Sequence, residues 1–226
     1  MESHSVQNDM SGGELYYRRH MPHYQPRNAT FHIVFRLTGS LPLFVIEELR
    51  VEREMFEKKL SHECSISKRA QNKLYYERQS FEKFDVLLNG SSTFPRWLGE
   101  AVPADIVREA IHYRDGKVYD LFAYCIMPNH VHMIVDVGRN GIPTYKDLPL
   151  FRILQSLKRH TARQANKILN RCGTFWQDES YDHIIRDGKE LERTIWYILM
   201  NPVSAGLIED WKDWRWSYCK TGIIEM

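Results

Sequence analysis

The sequence predicts an α+β domain in which an antiparallel sheet carries helices packed on it. Two observations predict the sheet. Residues 29–37, ATFHIVFRL, alternate in polarity and are rich in β-branched and aromatic residues, which is the pattern of a strand. Residues 116–127, GKVYDLFAYCIM, and 130–137, HVHMIVDV, read as two more strands joined by a tight Pro-Asn step. The third observation is order: strand, helices, two strands, helix, strand, helix, a sequence of elements that suits this layout.

Each element has a local reason. Residues 1–13 are polar and end in Gly-Gly, so a disordered tail is expected. YYRRHMPHYQP is basic and aromatic with two prolines, which predicts a loop or extended arm. GSLP turns the chain after the first strand. From Leu43 to about Leu88 the chain is dense in charge and free of Gly and Pro, with Phe44, Leu49, Phe56 and Leu60 at helical intervals. One long helix, or two broken near SHECSIS, is expected there.

PRWLGE reads as a turn. PADIVREAIHYRD reads as a helix with Pro at its start and a capping-type Asp. LFRILQSLKRHTARQANKILN is an amphipathic helix, YDHIIRD a short strand, and KELERTIWYILMN a helix stopped by Pro202. The aromatic end, WKDWRWSYC, reads as compact, with Trp211, Trp214 and Trp216 pinning the tail to the core.

Composition sets the limits. A chain of 226 residues, 43% apolar and 27% charged, fits one domain spanning residues 14–226, with a helical insertion at about 43–89. The net charge is only +2, so any nucleic-acid partner must be held by local basic clusters. Cys64, Cys125, Cys172 and Cys219 form no C-x-x-C pair, which argues against structural zinc and a disulfide framework. With no signal peptide and no apolar run near the length of a membrane span, a cytoplasmic protein is expected.

The segment YCIMPNHVHMIV (124–135) places His130 and His132 two residues apart on a strand. Side chains alternate along a strand, so both imidazoles share a face, about 6.5–7 Å apart along the backbone. Val131 points to the core. Such a pair supplies two ligands for a divalent ion and leaves room for a substrate oxygen. The plainer reading is two histidines on the solvent side of a strand.

This stretch resembles the HUH endonuclease motif, two histidines flanking a bulky hydrophobic residue, and in particular the single-tyrosine transposases, where MPNHVH is typical. Three further blocks extend the likeness: YYRRHMPHYQPRNATFHIVFRLTGSLP near the start, FWQDESYDHIIRD (175–187) and YILMNPVSAGL (197–207). Together they resemble the REP-associated tyrosine transposases over nearly the whole chain, which implies a ferredoxin-like fold.

In HUH enzymes a tyrosine attacks the DNA backbone, and this chain has 12 tyrosines. The resemblance selects Tyr197 as nucleophile, His130 and His132 as metal ligands, and Asn201 as third ligand. Tyr197 and Asn201 are also four residues apart on a predicted helix, hence on one side of it. Taken singly, Tyr197 reads as core and Asn201-Pro202 as a helix stop.

The resemblance implies Mg²⁺ or Mn²⁺ as cofactor. It implies single-stranded or hairpin DNA from repetitive extragenic palindromes as partner, and a monomer or homodimer. It further implies a 5′-phosphotyrosine intermediate that frees a 3′-OH. Binding residues are expected in Arg18, Arg19, Tyr24 and Arg27 of the arm, Lys158, Arg159 and Arg163 of the amphipathic helix, and Gln177 and Arg186 of FWQDESYDHIIRD. Lys68, Arg69 and Lys73 read as a solvated helix face. Two other functions fit the same residues: a hairpin-binding protein without chemistry, and a metal phosphoesterase that uses water.

Overall fold

The computed structural model describes residues 14–18, 22–26, 29–90, 95–138 and 149–224. The expected tail at 1–13, Arg19 and Arg27 lie outside the described residues, as do the side chains of Arg18 and Tyr24. The chain divides into two compact units, Met1–Thr38 with Arg96–Met226, and Gly39–Pro95.

In the first unit, β1 (Glu14–Arg18) and β2 (Pro22–Pro26) pair antiparallel. The sequence predicts a loop or extended arm here, and the structure pairs it as a two-stranded hairpin. The prolines end up at the two ends of β2, where a missing N–H does least harm to a ladder.

The main sheet comprises β3 (Thr30–Leu37), β4 (Asp120–Ile126), β5 (His130–Asp136), β6 (Trp176–Ile185) and β7 (Ser217–Cys219), in the order β6-β3-β5-β4-β7. Every pairing is antiparallel. Without β7, this is the ferredoxin-like βαββαβ arrangement, as the α+β expectation requires.

The helices of this unit are α3 (Ala101–Arg114), α4 (Leu150–Ile168), α5 (Gly188–Leu199) and the short α6 (Asn201–Ser204). They cover both faces of the sheet, and strand alternation decides what each face presents. Phe31, Ile33, Phe35 and Leu37 of β3 join Val131, Met133 and Val135 of β5 in one apolar cluster, with Val107 and Ile111 of α3 and Ile153, Leu154 and Leu157 of α4. The alternate residues face the other way. There Ile134 of β5 and Ile185 of β6 pack with Ile195, Ile198 and Leu199 of α5.

Some boundaries differ from expectation. β6 starts at Trp176, earlier than YDHIIRD predicts. Residues 177–179 are all polar and give no alternation, but pairing with β3 across a bulge at Phe35/Leu37 holds them in the strand. α3 begins at Ala101 without a side-chain cap. Asp105 instead accepts from Trp216 Nε1 at 3.2 Å and Arg215 Nη2 at 3.0 Å. Pro202 does not end the helical path. Met200 breaks it, and α6 restarts with Pro202 in its first turn, where the lost N–H has no intrahelical partner.

In the second unit, α1 (Leu43–Ser61) and α2 (Ile66–Asn89) are separated at His62–Ser65, the break foreseen near SHECSIS. Ser65 caps α2 by accepting from Lys68 N at 3.3 Å. The Phe56 and Tyr76 rings stack at 3.8 Å, and Lys83 Nζ meets Glu52 Oε1 at 2.6 Å. These contacts run in opposite senses along the two helices, so the unit is an antiparallel helical hairpin. Among the described residues, no helix is long and apolar enough to cross a membrane.

Leu157 is fully buried between α4 and the sheet. Leu157→Ala is expected to lower unfolding free energy by about 2–5 kcal/mol, with a cavity left behind. Urea denaturation followed by circular dichroism measures this, and a loss well under about 1 kcal/mol would contradict the packing described.

Candidate metal and nucleophile site

β5 lies between β3 and β4 and is buried along most of its length. His130 and His132 are accordingly fully buried, which overturns the reading of two solvent-facing histidines. They occupy the face opposite the α3 and α4 cluster, the face that α5 covers.

The ring nitrogens have specific partners. His130 Nδ1 is 2.7 Å from Asn129 Oδ1. An amide oxygen only accepts, so His130 carries its proton on Nδ1 and its Nε2 is a bare lone pair in the neutral ring. His132 Nδ1 lies 3.2 Å from Nε2 of His32, a buried residue of β3. His130 Nε2 and His132 Nε2 approach to 2.9 Å. At that distance the two nitrogens either share a proton, His132 donating to His130, or, with His132 protonated on Nδ1, turn both lone pairs toward a common point where a cation could sit.

A divalent cation fits this donor set. Nitrogens bound about 2.1 Å from one ion at right angles are themselves about 3 Å apart. Both outer nitrogens are engaged, as in histidines oriented to coordinate metal.

The turn before β5 holds Asn129. Met127 N donates to His130 O at 2.8 Å, and Leu37 N donates to Asn129 O at 2.8 Å. The MPN step is thereby tied to the end of β3, and the Asn129 amide reaches His130 from a fixed backbone.

α5 brings the tyrosine. Asp187 caps its N-terminus by accepting from Glu190 N at 2.8 Å. Leu191, Ile195, Ile198 and Leu199 form the stripe that packs on the sheet. Tyr197 is half-buried, and its ring centroid is 6.2 Å from that of His132, nearly perpendicular at 80°. Asn201, four residues on, is buried at the start of α6.

The structure thus brings Tyr197 beside the histidine pair. Sequence reasoning missed three residues of this neighbourhood. In the sequence Asn129 reads only as part of the Pro-Asn turn. His32 and Arg36 sit on β3 in the opposite phase to Phe31, Ile33 and Phe35, which was the signal that they share the histidine face. Arg36 is the cross-strand neighbour of His130 and is buried. Burial pulls its guanidinium down to about 10, against the opposing charge of Glu179. It places a cationic side chain on the histidine face.

The expected DNA-binding residues of α4 lie elsewhere. Lys158, Arg159 and Gln177 meet in an open groove of about 320 Å³ between α4 and the start of β6, with Phe151 and Trp176. α4 packs on the sheet face opposite the histidines. Lys158 Nζ donates to the carbonyls of Gln177, Asp178 and Glu179 at 3.0–3.3 Å, so it pins the edge strand. Arg159 and Arg163 are exposed one turn apart on α4, and Arg186 is exposed just beyond β6.

On the histidine face, His183 of β6 donates from Nε2 to Glu190 Oε1 at 2.9 Å. Burial alone would raise the Glu190 carboxyl. Hydrogen bonds from His183 and from Arg186 N outweigh burial and hold the carboxyl below the usual glutamate range.

Comparison with known proteins adds the following. No family model matches the chain. Over 107 residues, 44% of this chain and 58% of the relative, it is 33% identical to a Haemophilus influenzae protein that carries the REP-associated tyrosine transposase name. Over 109 residues, 47% of this chain and 58% of the relative, it is 26% identical to an Escherichia coli REP-associated tyrosine transposase. The aligned region therefore spans less than two thirds of either relative. A solved REP-associated tyrosine transposase bound to a REP hairpin aligns over 92% of this chain and 82% of its own, with 17% identity and a TM-score of 0.48.

Because the folded-state Glu190 carboxyl is depressed, its contribution to stability is complete above the unfolded-state value and lost as pH falls through the folded-state value. The denaturation midpoint is expected to drop on acidification below the usual glutamate range, and Glu190→Gln to flatten that drop. An unchanged pH profile in Glu190→Gln would count against the His183–Glu190 contact.

Proposed function

We propose that the chain is a metal-dependent nuclease and strand transferase that cuts and rejoins single-stranded DNA at palindromic hairpin elements, with Tyr197 as nucleophile. The observation that carries this reading is the histidine pair. Two imidazole nitrogens converge at 2.9 Å with both outer nitrogens engaged, and the ring of Tyr197 lies against one of the pair. The names of the two curated relatives point the same way.

His130 and His132 would hold the ion through Nε2, and the Asn201 side chain would supply a third donor. Mg²⁺ or Mn²⁺ is the reading that the resemblance favours. When bound, such an ion polarises the scissile phosphate and offsets the charge that develops on it.

The remaining steps belong to the chain. The Tyr197 phenol gives up its proton, and its oxygen forms a bond to phosphorus. The bond from phosphorus to the 3′-oxygen breaks, and that oxygen leaves as a 3′-OH with a proton. One phosphodiester is replaced by another, so the linkage energy is kept in the 5′-phosphotyrosine. Attack by a 3′-OH on that bond restores the tyrosine and joins the strand without ATP. Arg36, on the same sheet face, is placed to favour an anionic backbone there. The groove holding Arg159 and Gln177 is the proposed binding surface for flanking DNA, in which phosphate contacts position the strand.

A labelled hairpin oligonucleotide incubated with the protein and Mn²⁺ is expected to give a protein-linked band on a denaturing gel. Tyr197→Phe is expected to abolish that band, and His132→Ala to reduce it by at least about 100-fold. Cleavage without a linked band, retained in Tyr197→Phe, would instead mark a water-using phosphoesterase. Binding with neither cleavage nor adduct would mark a DNA-binding module.

Arg159→Ala and Arg163→Ala are expected to weaken hairpin binding while leaving the folded state intact, with a reduced salt dependence of the binding constant. Filter binding at several salt concentrations measures this. An unaltered salt slope would remove α4 from the binding surface.

A further inference from the structure

His32 stands on β3 in a phase that otherwise faces the α5 side of the sheet, one strand away from the histidine pair. Its exposure is 3%, and its Nε2 is 3.2 Å from His132 Nδ1. The two ring planes agree within 19°, with centroids 5.5 Å apart. That separation exceeds the N···N distance by about the radii of the two rings. The rings therefore meet edge to edge in nearly one plane, as an N–H···N bond requires and as a face-to-face stack would not. Ile134, the cross-strand neighbour of His32, lies in the apolar cluster under α5, so water is a poor substitute partner at this position.

A buried neutral imidazole has one proton and two possible sites for it. If the His132 proton sat on Nε2, it would point at His130 and occupy the coordinating position. An acceptor at Nδ1 draws the proton to the other side. Asn129 does this for His130 from the turn. We propose that His32 is the corresponding positioning residue for His132, accepting its Nδ1–H so that both Nε2 lone pairs face the same point. This inference rests on the metal reading above, and it assigns a purpose to a histidine that the proposed reaction does not itself use. It follows that β3 and the turn before β5, themselves joined by Leu37 N on Asn129 O, each supply one orienting acceptor to the pair.

The test is Mn²⁺ titration by calorimetry on the full chain and on His32→Leu and His32→Gln, with thermal melting as the folding control. The unaltered protein is expected to bind one Mn²⁺, and His32→Leu to bind it about 10–100-fold more weakly. His32→Gln keeps an oxygen that can accept and is expected to recover part of the loss. Equal affinity in a folded His32→Leu overturns the inference while leaving the metal site standing. No binding by the unaltered protein overturns the metal reading and the inference together. A second measurement covers variants that fail to fold. In the unaltered Mg²⁺-loaded protein, ¹⁵N shifts of labelled histidine are expected to place the His132 proton on Nδ1, and a proton on Nε2 overturns the inference.

Discussion

Two buried imidazole nitrogens held 2.9 Å apart on one strand are the constraint on which the rest of the site depends. The strand geometry makes this possible. β5 is paired on both sides, by β3 and β4, so its register cannot drift without breaking two ladders. A slip of one residue would send both histidines into the α3 and α4 core and bring Val131 and Met133 to the α5 face. Everything else at the site takes its position from that strand. Asn129 reaches back from the turn, His32 and Arg36 stand across from it on β3, and α5 covers the same face with Tyr197.

The two faces of the sheet divide the labour. One is largely apolar where α3 and α4 pack, with the few polar groups there, such as Trp176 Nε1 on Thr161 Oγ1 and the Tyr119 hydroxyl on Ile111 O, hydrogen-bonded, and its cluster holds the strands in place. The other mixes an apolar patch under α5 with a band of polar groups running from His183 through His32 to His132 and His130. A buried polar band is costly unless its members are hydrogen-bonded. Here Asn129, His32 and Glu190 supply such partners.

Much of this was legible in the sequence. The alternation in ATFHIVFRL and in HVHMIVDV marked strands β3 and β5, whereas Tyr197 and Asn201, expected on one helix, lie in α5 and α6 on either side of the break at Met200. The fold class followed from element order. What stayed hidden has physical causes. β6 extends through Gln177, Asp178 and Glu179 because β3 offers it a ladder, and no local pattern records that offer. β7 is three residues long in an aromatic tail, too short for periodicity to register. His32 was visible only as the polar phase of an apolar strand. Its meaning depends on which strand lies next to it, and strand neighbours are a property of topology. The basic residues of α4 were legible as a DNA-binding patch, but not that the sheet lies between them and the histidine pair.

The central claim is that one point in space is shared by His130, His132 and Tyr197. Anomalous diffraction at the manganese edge, from crystals soaked in Mn²⁺, tests it most directly. The account predicts a single strong peak within bonding distance of both Nε2 atoms, with the Tyr197 hydroxyl turned toward it. A peak at some other place on the chain, or a Tyr197 hydroxyl directed away from the imidazoles, would contradict it.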